Sequence, residues 1–163
     1  VRAVGSGFLR ALGGPLTDGE VIEAAGLRIT VLATPGHTAD SLSFIVGDAV
    51  LTADTVLGRG TTVIDDEDGS LTDYLESLRR LQGLGRRAVL PGHGPELDDL
   101  QAVSAMYLAH RQERLDQVRS ALRALGEDAT ARQVVEHVYT DVDEELWDAA
   151  EKSVRAQLDY LRG

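Results

Sequence analysis

Two glycine–histidine turns, Thr34-Pro35-Gly36-His37-Thr38 and Pro91-Gly92-His93-Gly94-Pro95, constrain this chain more than any other feature. Each follows an apolar run of β character, and a third such run ends at Thr52-Ala53-Asp54-Thr55 between them. Proline cannot continue a ladder, so a strand must stop where each turn begins. Taken singly, a Gly-His turn is usually only a turn, and Asp54 could cap a loop. Three such residues at strand ends of one sheet would share a rim. There, two imidazoles and a carboxylate are the ligand types of a zinc site built without thiolates. The chain has no cysteine, so histidine and carboxylate are the only side chains of that kind it can use.

Around these turns the sequence reads as strands, then a helix, then a strand. Residues 1–15 have no clean period, and their glycines suggest a loop with a short strand. Glu20–Ala24 and Leu27–Ala33 read as two strands. In the second, Leu27, Ile29, Val31 and Ala33 alternate with Arg28, Thr30 and Leu32, the period of a half-buried strand. Ser41–Val46 and Ala49–Ala53 flank Gly47-Asp48, a two-residue hairpin signal. Leu57–Asp68 reads as an extended loop ending in the acidic run 65–68, which is taken as a solvated turn. Ser70-Leu71-Thr72-Asp73 opens a helix with Leu71, Tyr74, Leu75, Leu78 and Leu81 on one face. Gly83 and Gly85 end it, and Ala88-Val89-Leu90 is a short strand before His93.

Beyond Glu96 the pattern is helical. A long helix is expected over Leu97–Leu125, a second over Ala131–Tyr139 opened by Thr130 and Gln133, and a third over Glu144–Leu161. That third helix carries Trp147, Ala150, Val154, Leu158 and Leu161 as one stripe. The division expected is therefore an α/β domain over residues 1–96 and a helical domain over 97–163, with no flexible tether between them.

Of the 163 residues, 43% are hydrophobic, enough for a globular core. The net charge of −11 is shared evenly, −5 over residues 1–96 and −6 over 97–163. Such a surface repels phosphate backbones and argues against broad, non-specific nucleic-acid binding. No apolar run is long enough for a membrane span and no signal-peptide pattern opens the chain, so a cytoplasmic protein with no membrane partner is expected. Lys152 is the only lysine among many arginines, alanines and glycines, a bias read as that of a GC-rich bacterial genome.

In order and spacing, the motifs around His37, Asp54 and His93 resemble the later metal motifs of the metallo-β-lactamase superfamily. The resemblance covers about residues 20–95. It implies the C-terminal half of an αββα sandwich that carries two zinc ions at its edge. His37 would complete the three-histidine site of the first metal, Asp54 would bridge both metals, and His93 would bind the second. Tyr107-Leu108-Ala109-His110-Arg111-Gln112-Glu113-Arg114, with its helical tail, is similar to the β-lactamase-like protein 2 branch. So is Gly58-Arg59-Gly60-Thr61-Thr62-Val63. In that branch the last helices form a small winged-helix-like domain, and members include single-strand-specific endoribonucleases.

The family's first motif, His-x-His-x-Asp-His, does not occur, since no histidine precedes His37, and the chain does not begin with Met. The resemblance therefore implies a chain lacking about the first half of the sandwich, with four of seven usual ligands missing. Such a chain is expected to bind zinc poorly and to be inactive alone. It is also expected to expose sheet faces and edges that favour self-association, a homodimer included.

Two readings attach to the long helix. Arg111 falls on the apolar seam of Leu108, Leu115, Val118, Leu122 and Leu125, and His110 lies one turn from Tyr107 and Arg114. Either the pair docks this helix on the sandwich, or it clamps a phosphate or carboxylate of the substrate. Thr61 and Thr62 either cap their own loop or hydrogen-bond substrate. His137 is expected at the surface or in packing. Three functions follow: a zinc-dependent hydrolase leaning toward single-stranded RNA, a thioester hydrolase of the glyoxalase II type acting on a small molecule, or a non-catalytic interaction module.

Overall fold

The computed structural model describes residues 15–64, 68–140, 143, 145 and 147–163. The expectations for residues 1–14 and for most of the acidic run at 65–68 lie outside the described residues. The elements are β1 (Val21–Ala24), β2 (Leu27–Ala33), β3 (Leu42–Val46), β4 (Ala49–Ala53), α1 (Leu71–Gln82), β5 (Ala88–Pro91), α2 (Leu100–Leu125), α3 (Ala131–Val138) and α4 (Trp147–Arg162). The five strands form one sheet in the order β1-β2-β3-β4-β5.

Strand direction explains where the polar chemistry collects. β1, β2, β3 and β4 pair antiparallel in turn, and β4 pairs parallel to β5 across the α1 crossover. β2, β4 and β5 consequently run the same way and end on the same edge of the sheet. The hairpin at Gly47-Asp48 has the two-residue loop that its sequence signals, with Val46 opposite Ala49.

One face of the sheet is covered by helices. Leu32, Val50 and Val89 meet Leu71, Tyr74, Leu75, Leu78 and Leu81 of α1 and Leu100, Val103, Tyr107 and Leu115 of α2 in a single buried cluster. The opposite face carries Phe44 and Leu51 as a cross-strand pair, and Leu51 stays 38% exposed. β2 departs from the expected alternation. Its first residues are exposed, while Val31 and Leu32 are both buried although they point to opposite faces. Both faces are thus covered at the end leading to His37, and burial follows position along the strand more than parity.

One helix start differs from the expected one. α2 begins at Leu100 rather than Leu97, because Asp99 caps it by accepting from the Ala102 N–H. Leu97 is instead held beside β5, exchanging backbone hydrogen bonds with Val89 at 2.8 and 3.1 Å. α1 starts where expected, with Ser70 accepting from the Asp73 N–H. α3 opens with the full Thr130–Gln133 capping box and stops one residue before Tyr139. α4 runs from Trp147 to Arg162, and its expected start at Glu144 lies outside the described residues.

A second buried cluster joins Val118, Ala121 and Leu122 of α2 to Val134 and Val135 of α3 and Val154 and Leu158 of α4. The change of structural class near Pro95 is therefore not a break in packing. α2 is common to both clusters, its first half in one and its second half in the other. Tyr160 and Leu161 bring the end of α4 back to the first cluster.

Candidate metal centre

Asp54 and His93 follow neighbouring parallel strands, about 4.8 Å apart, whereas His37 follows β2, two strands from β4. This spacing decides which residues meet. His93 Nε2 lies 3.5 Å from Asp54 Oδ1, and among the described residues no three His, Cys, Asp or Glu side chains gather closely enough to hold an ion. The sheet brings one pair together and leaves His37 on the same edge apart from it.

Several local devices aim Asp54. β4 ends in a register shift between Leu51 and Ala53, and Ala53 adopts φ +45°, the left-handed region that costs about 1–2 kcal/mol for a residue with a Cβ. The Gly92 N–H donates to Ala53 O at 2.7 Å, drawing the His93 turn against this bulge. A Cβ on Gly92 would stand 2.8 Å from Asp54 Oδ1, so only glycine leaves the carboxylate its place. From the other side, the Gly58 N–H donates to His93 O at 2.8 Å, and a Cβ on Gly58 would meet Pro95 N at 2.6 Å. Arg59 and Gly60 are exposed beyond that crossing.

Asp54 Oδ1 is buried and has no hydrogen-bond partner. A 3.5 Å separation is long for a hydrogen bond. It is close to the roughly 3.3 Å expected between two ligands of one tetrahedral zinc with bonds of about 2.0–2.1 Å. An orphaned buried carboxylate oxygen is costly by itself, on the order of 1–3 kcal/mol, and a cation shared with His93 would remove that cost. The donor chemistry and the spacing of this pair fit a divalent metal.

His37 is oriented differently. Its Nδ1 lies 2.7 Å from Val63 O. A carbonyl only accepts, so Nδ1 carries the proton and Nε2 is left with its lone pair. The backbone carbonyl that sets this tautomer is not legible in the sequence, because no side-chain motif encodes it.

The loop between Asp54 and α1 is tied down by residues that sequence reasoning treats as apolar or overlooks. Tyr74 Oη donates to Thr55 O at 2.8 Å, and burial pushes the Tyr74 phenol up to about 12. Tyr107 Oη donates to Gly60 O at 2.8 Å and accepts from the Leu57 N–H at 3.1 Å. Burial raises this phenol too. Buried Thr34, Ser43 and Thr55 link their hydroxyls across β2, β3 and the Asp54 turn at 2.9 and 3.2 Å. On the outer end of β2, Asp18 accepts from the Ala33 N–H and from Arg80, each at 2.8 Å, and the Arg80 hydrogen bond holds its carboxyl below 3.8.

Of the four expected substrate contacts, two are committed elsewhere. Thr62 is buried and its hydroxyl donates to Asp54 O at 2.6 Å. Arg111 is 5% exposed, donates to Thr62 O, and stacks over the Tyr74 ring at 5.1 Å. Arg111 holds the long helix to this loop, Thr62 bonds within its own loop, and Arg111 Nε has no hydrogen-bond partner. Thr61 is exposed on the same loop. His110 is half-buried with Nδ1 unpartnered, and burial, then the Arg111 and Arg114 charges, push its pKa below the usual 6.5. His137 is exposed on α3, away from the pair.

Comparison with known proteins agrees with this architecture. The family model for the metallo-beta-lactamase superfamily matches residues 6–93, and that for the beta-lactamase associated winged helix domain matches residues 130–162. The chain belongs to the metallo-beta-lactamase superfamily. It is 37% identical over 110 residues to an atrochrysone carboxyl ACP thioesterase of Aspergillus fumigatus, covering 66% of this chain and 34% of that protein. It is 35% identical over 126 residues to a beta-lactamase-like protein 2 homolog of Caenorhabditis elegans, covering 76% and 41%. The crystal structure of a metallo-beta-lactamase family protein from Thermus thermophilus superposes with a TM-score of 0.75 at 30% identity, covering 91% of this chain and 48% of that one. The chain spans half or less of the length of these relatives. Among the described residues no helix is long and apolar enough to cross a membrane.

Proposed function

We propose that these residues supply part of the zinc site of a hydrolase, in which Asp54 and His93 hold one ion together and His37 presents Nε2 to a second. The observation that carries this reading is the buried, unpartnered Asp54 Oδ1 at 3.5 Å from His93 Nε2. Bound divalent metal would provide hydroxide at neutral pH and polarise the attacked oxygen. The chain's own part is to fix donors. The Ala53 bulge aims the carboxylate, the Gly58 and Gly92 contacts seat the His93 turn, and Val63 O holds the His37 proton on Nδ1. Ligands beyond these three come from outside this sequence in the proposed enzyme.

For the substrate we favour a small thioester or ester over RNA. The lean toward RNA rests on the resemblance of the stretch around His110 and Arg111 to the β-lactamase-like protein 2 branch, and Arg111 is buried against Tyr74 and Thr62, so it offers no open clamp for phosphate. The net charge of −11 opposes a polyanion, and one relative is named as an acyl-carrier thioesterase. The test takes the whole gene product containing these 163 residues, loaded with zinc, against S-acyl glutathione and single-stranded RNA. Thioester cleavage without RNA cleavage is expected. RNA cleavage alone would overturn the substrate, and no hydrolysis of either with zinc bound would overturn the hydrolase.

A further inference from the structure

We infer that Arg111 is a positioning residue for the metal edge: acting through the backbone of Thr62 and Val63, it keeps the His37 imidazole in its Nδ1–H tautomer with Nε2 free. The stretch carrying these residues is pinned at consecutive points. Thr62 is fixed twice, by its hydroxyl on Asp54 O at 2.6 Å and by Arg111 on its carbonyl. Ile64, two residues on, is 3% exposed and part of the core under α1 and α2. Between these anchors Val63 turns its side chain outward, 48% exposed, and its carbonyl toward His37 Nδ1 at 2.7 Å.

Val63 O is therefore held by its neighbours and not by its own side chain. Adjacent carbonyls serve opposite partners, Thr62 O facing α2 and Val63 O facing the His37 turn. Arg111 is itself held over the Tyr74 ring, 5.1 Å from its centroid, and Tyr74 anchors Thr55 O on the same loop at 2.8 Å. A guanidinium held on an aromatic face has little freedom left, so its hydrogen bond places the Thr62 peptide with little scatter. One helix thus sets both the Asp54 backbone, through Thr62, and the His37 tautomer, through Val63. The consequence for metal rests on the proposed ligand role of His37, but the tautomer itself does not.

The test reads the tautomer directly, by long-range 1H–15N NMR of the histidine rings at about pH 8 in the metal-free chain, where imidazole is neutral. Wild type is expected to show His37 with the proton on Nδ1. Arg111→Met, which keeps an unbranched apolar stem but no donor, is expected to shift His37 largely to the Nε2–H form. Tyr107→Phe, which frees the loop only at Leu57 and Gly60, is expected to leave it unchanged. Should Arg111→Met fail to fold, Arg111→Lys, one bond shorter, is expected to give a measurable mixture of the two forms. A folded Arg111 variant with His37 still wholly Nδ1–H would overturn the inference, as would an Nε2–H imidazole in wild type. Because no metal is present, absence of zinc binding in a separate titration would count against the proposed function alone.

Discussion

Replacing Gly36 with alanine tests how the His37 turn is seated. Gly36 has φ +131°, and a Cβ built there would lie 2.5 Å from Tyr74 Cβ and closer still to the Tyr74 backbone. Ordinary contact begins at 3.4 Å, so the turn and α1 must separate by roughly 1 Å. Overpacking of that kind costs about 1–3 kcal/mol, and the left-handed region adds about 1–2 kcal/mol for a residue with a Cβ. The total is about 2–5 kcal/mol. At roughly 2–4 °C per kcal/mol for a chain of this size, the melting temperature should fall by about 4–20 °C. Gly85→Ala is the control: φ is +75° with nothing within 4 Å of an added Cβ, so only the conformational part applies, about 1–2 kcal/mol and a few degrees. Thermal melts followed by circular dichroism compare the two. Separation should also stretch the hydrogen bond from the Ser70 N–H to Gly36 O, now 3.0 Å, and loosen the start of α1. Equal melting of the two variants would mean that the Tyr74 contact contributes nothing to the cost.

Two further outcomes follow from burial. Leu78 is fully buried where α1 packs on the sheet, so Leu78→Ala should cost about 2–5 kcal/mol, measured by urea unfolding; a loss under about 1 kcal/mol would contradict the core assignment. His110 has a folded pKa below 6.5, lowered first by burial and then by Arg111 and Arg114. The unfolded chain therefore binds the proton first, so this contribution is whole above about pH 6.5 and declines as pH falls from there toward the folded pKa. The drop in melting temperature between about pH 7.5 and about pH 5.5 should be smaller in His110→Asn than in wild type, and equal drops would contradict the sign.

Much of the site's layout is legible because strand ends are announced by proline and glycine. Pro35 and Pro91 stop β2 and β5, Gly47-Asp48 fixes the hairpin, and these signals alone put His37, Asp54 and His93 on one edge. What stays hidden is carried by backbone atoms and by distant contacts. The Ala53 bulge has no residue signature, since alanine is disfavoured at a positive φ. Val63 O is invisible to any reading of side chains. The burial of Arg111 is open to two readings in sequence, because an arginine on an apolar seam suits a cleft as well as a stacked, hydrogen-bonded interior. Only Tyr74, 37 positions away, resolves the choice. The start of α2 falls later than its pattern suggests, because Leu97 continues the apolar helical period while its backbone pairs with Val89.

The claim at the centre is that Asp54 and His93 form a donor pair for a divalent ion. Paramagnetic Co2+ added to the chain and followed by NMR tests it even at weak affinity. The His93 ring and the backbone amides around Asp54 are expected to broaden first and together, Asp54→Asn to remove the effect, and the exposed His137 ring to stay untouched. Broadening spread over the acidic surface, with His93 and Asp54 no more affected than the rest, would contradict the claim.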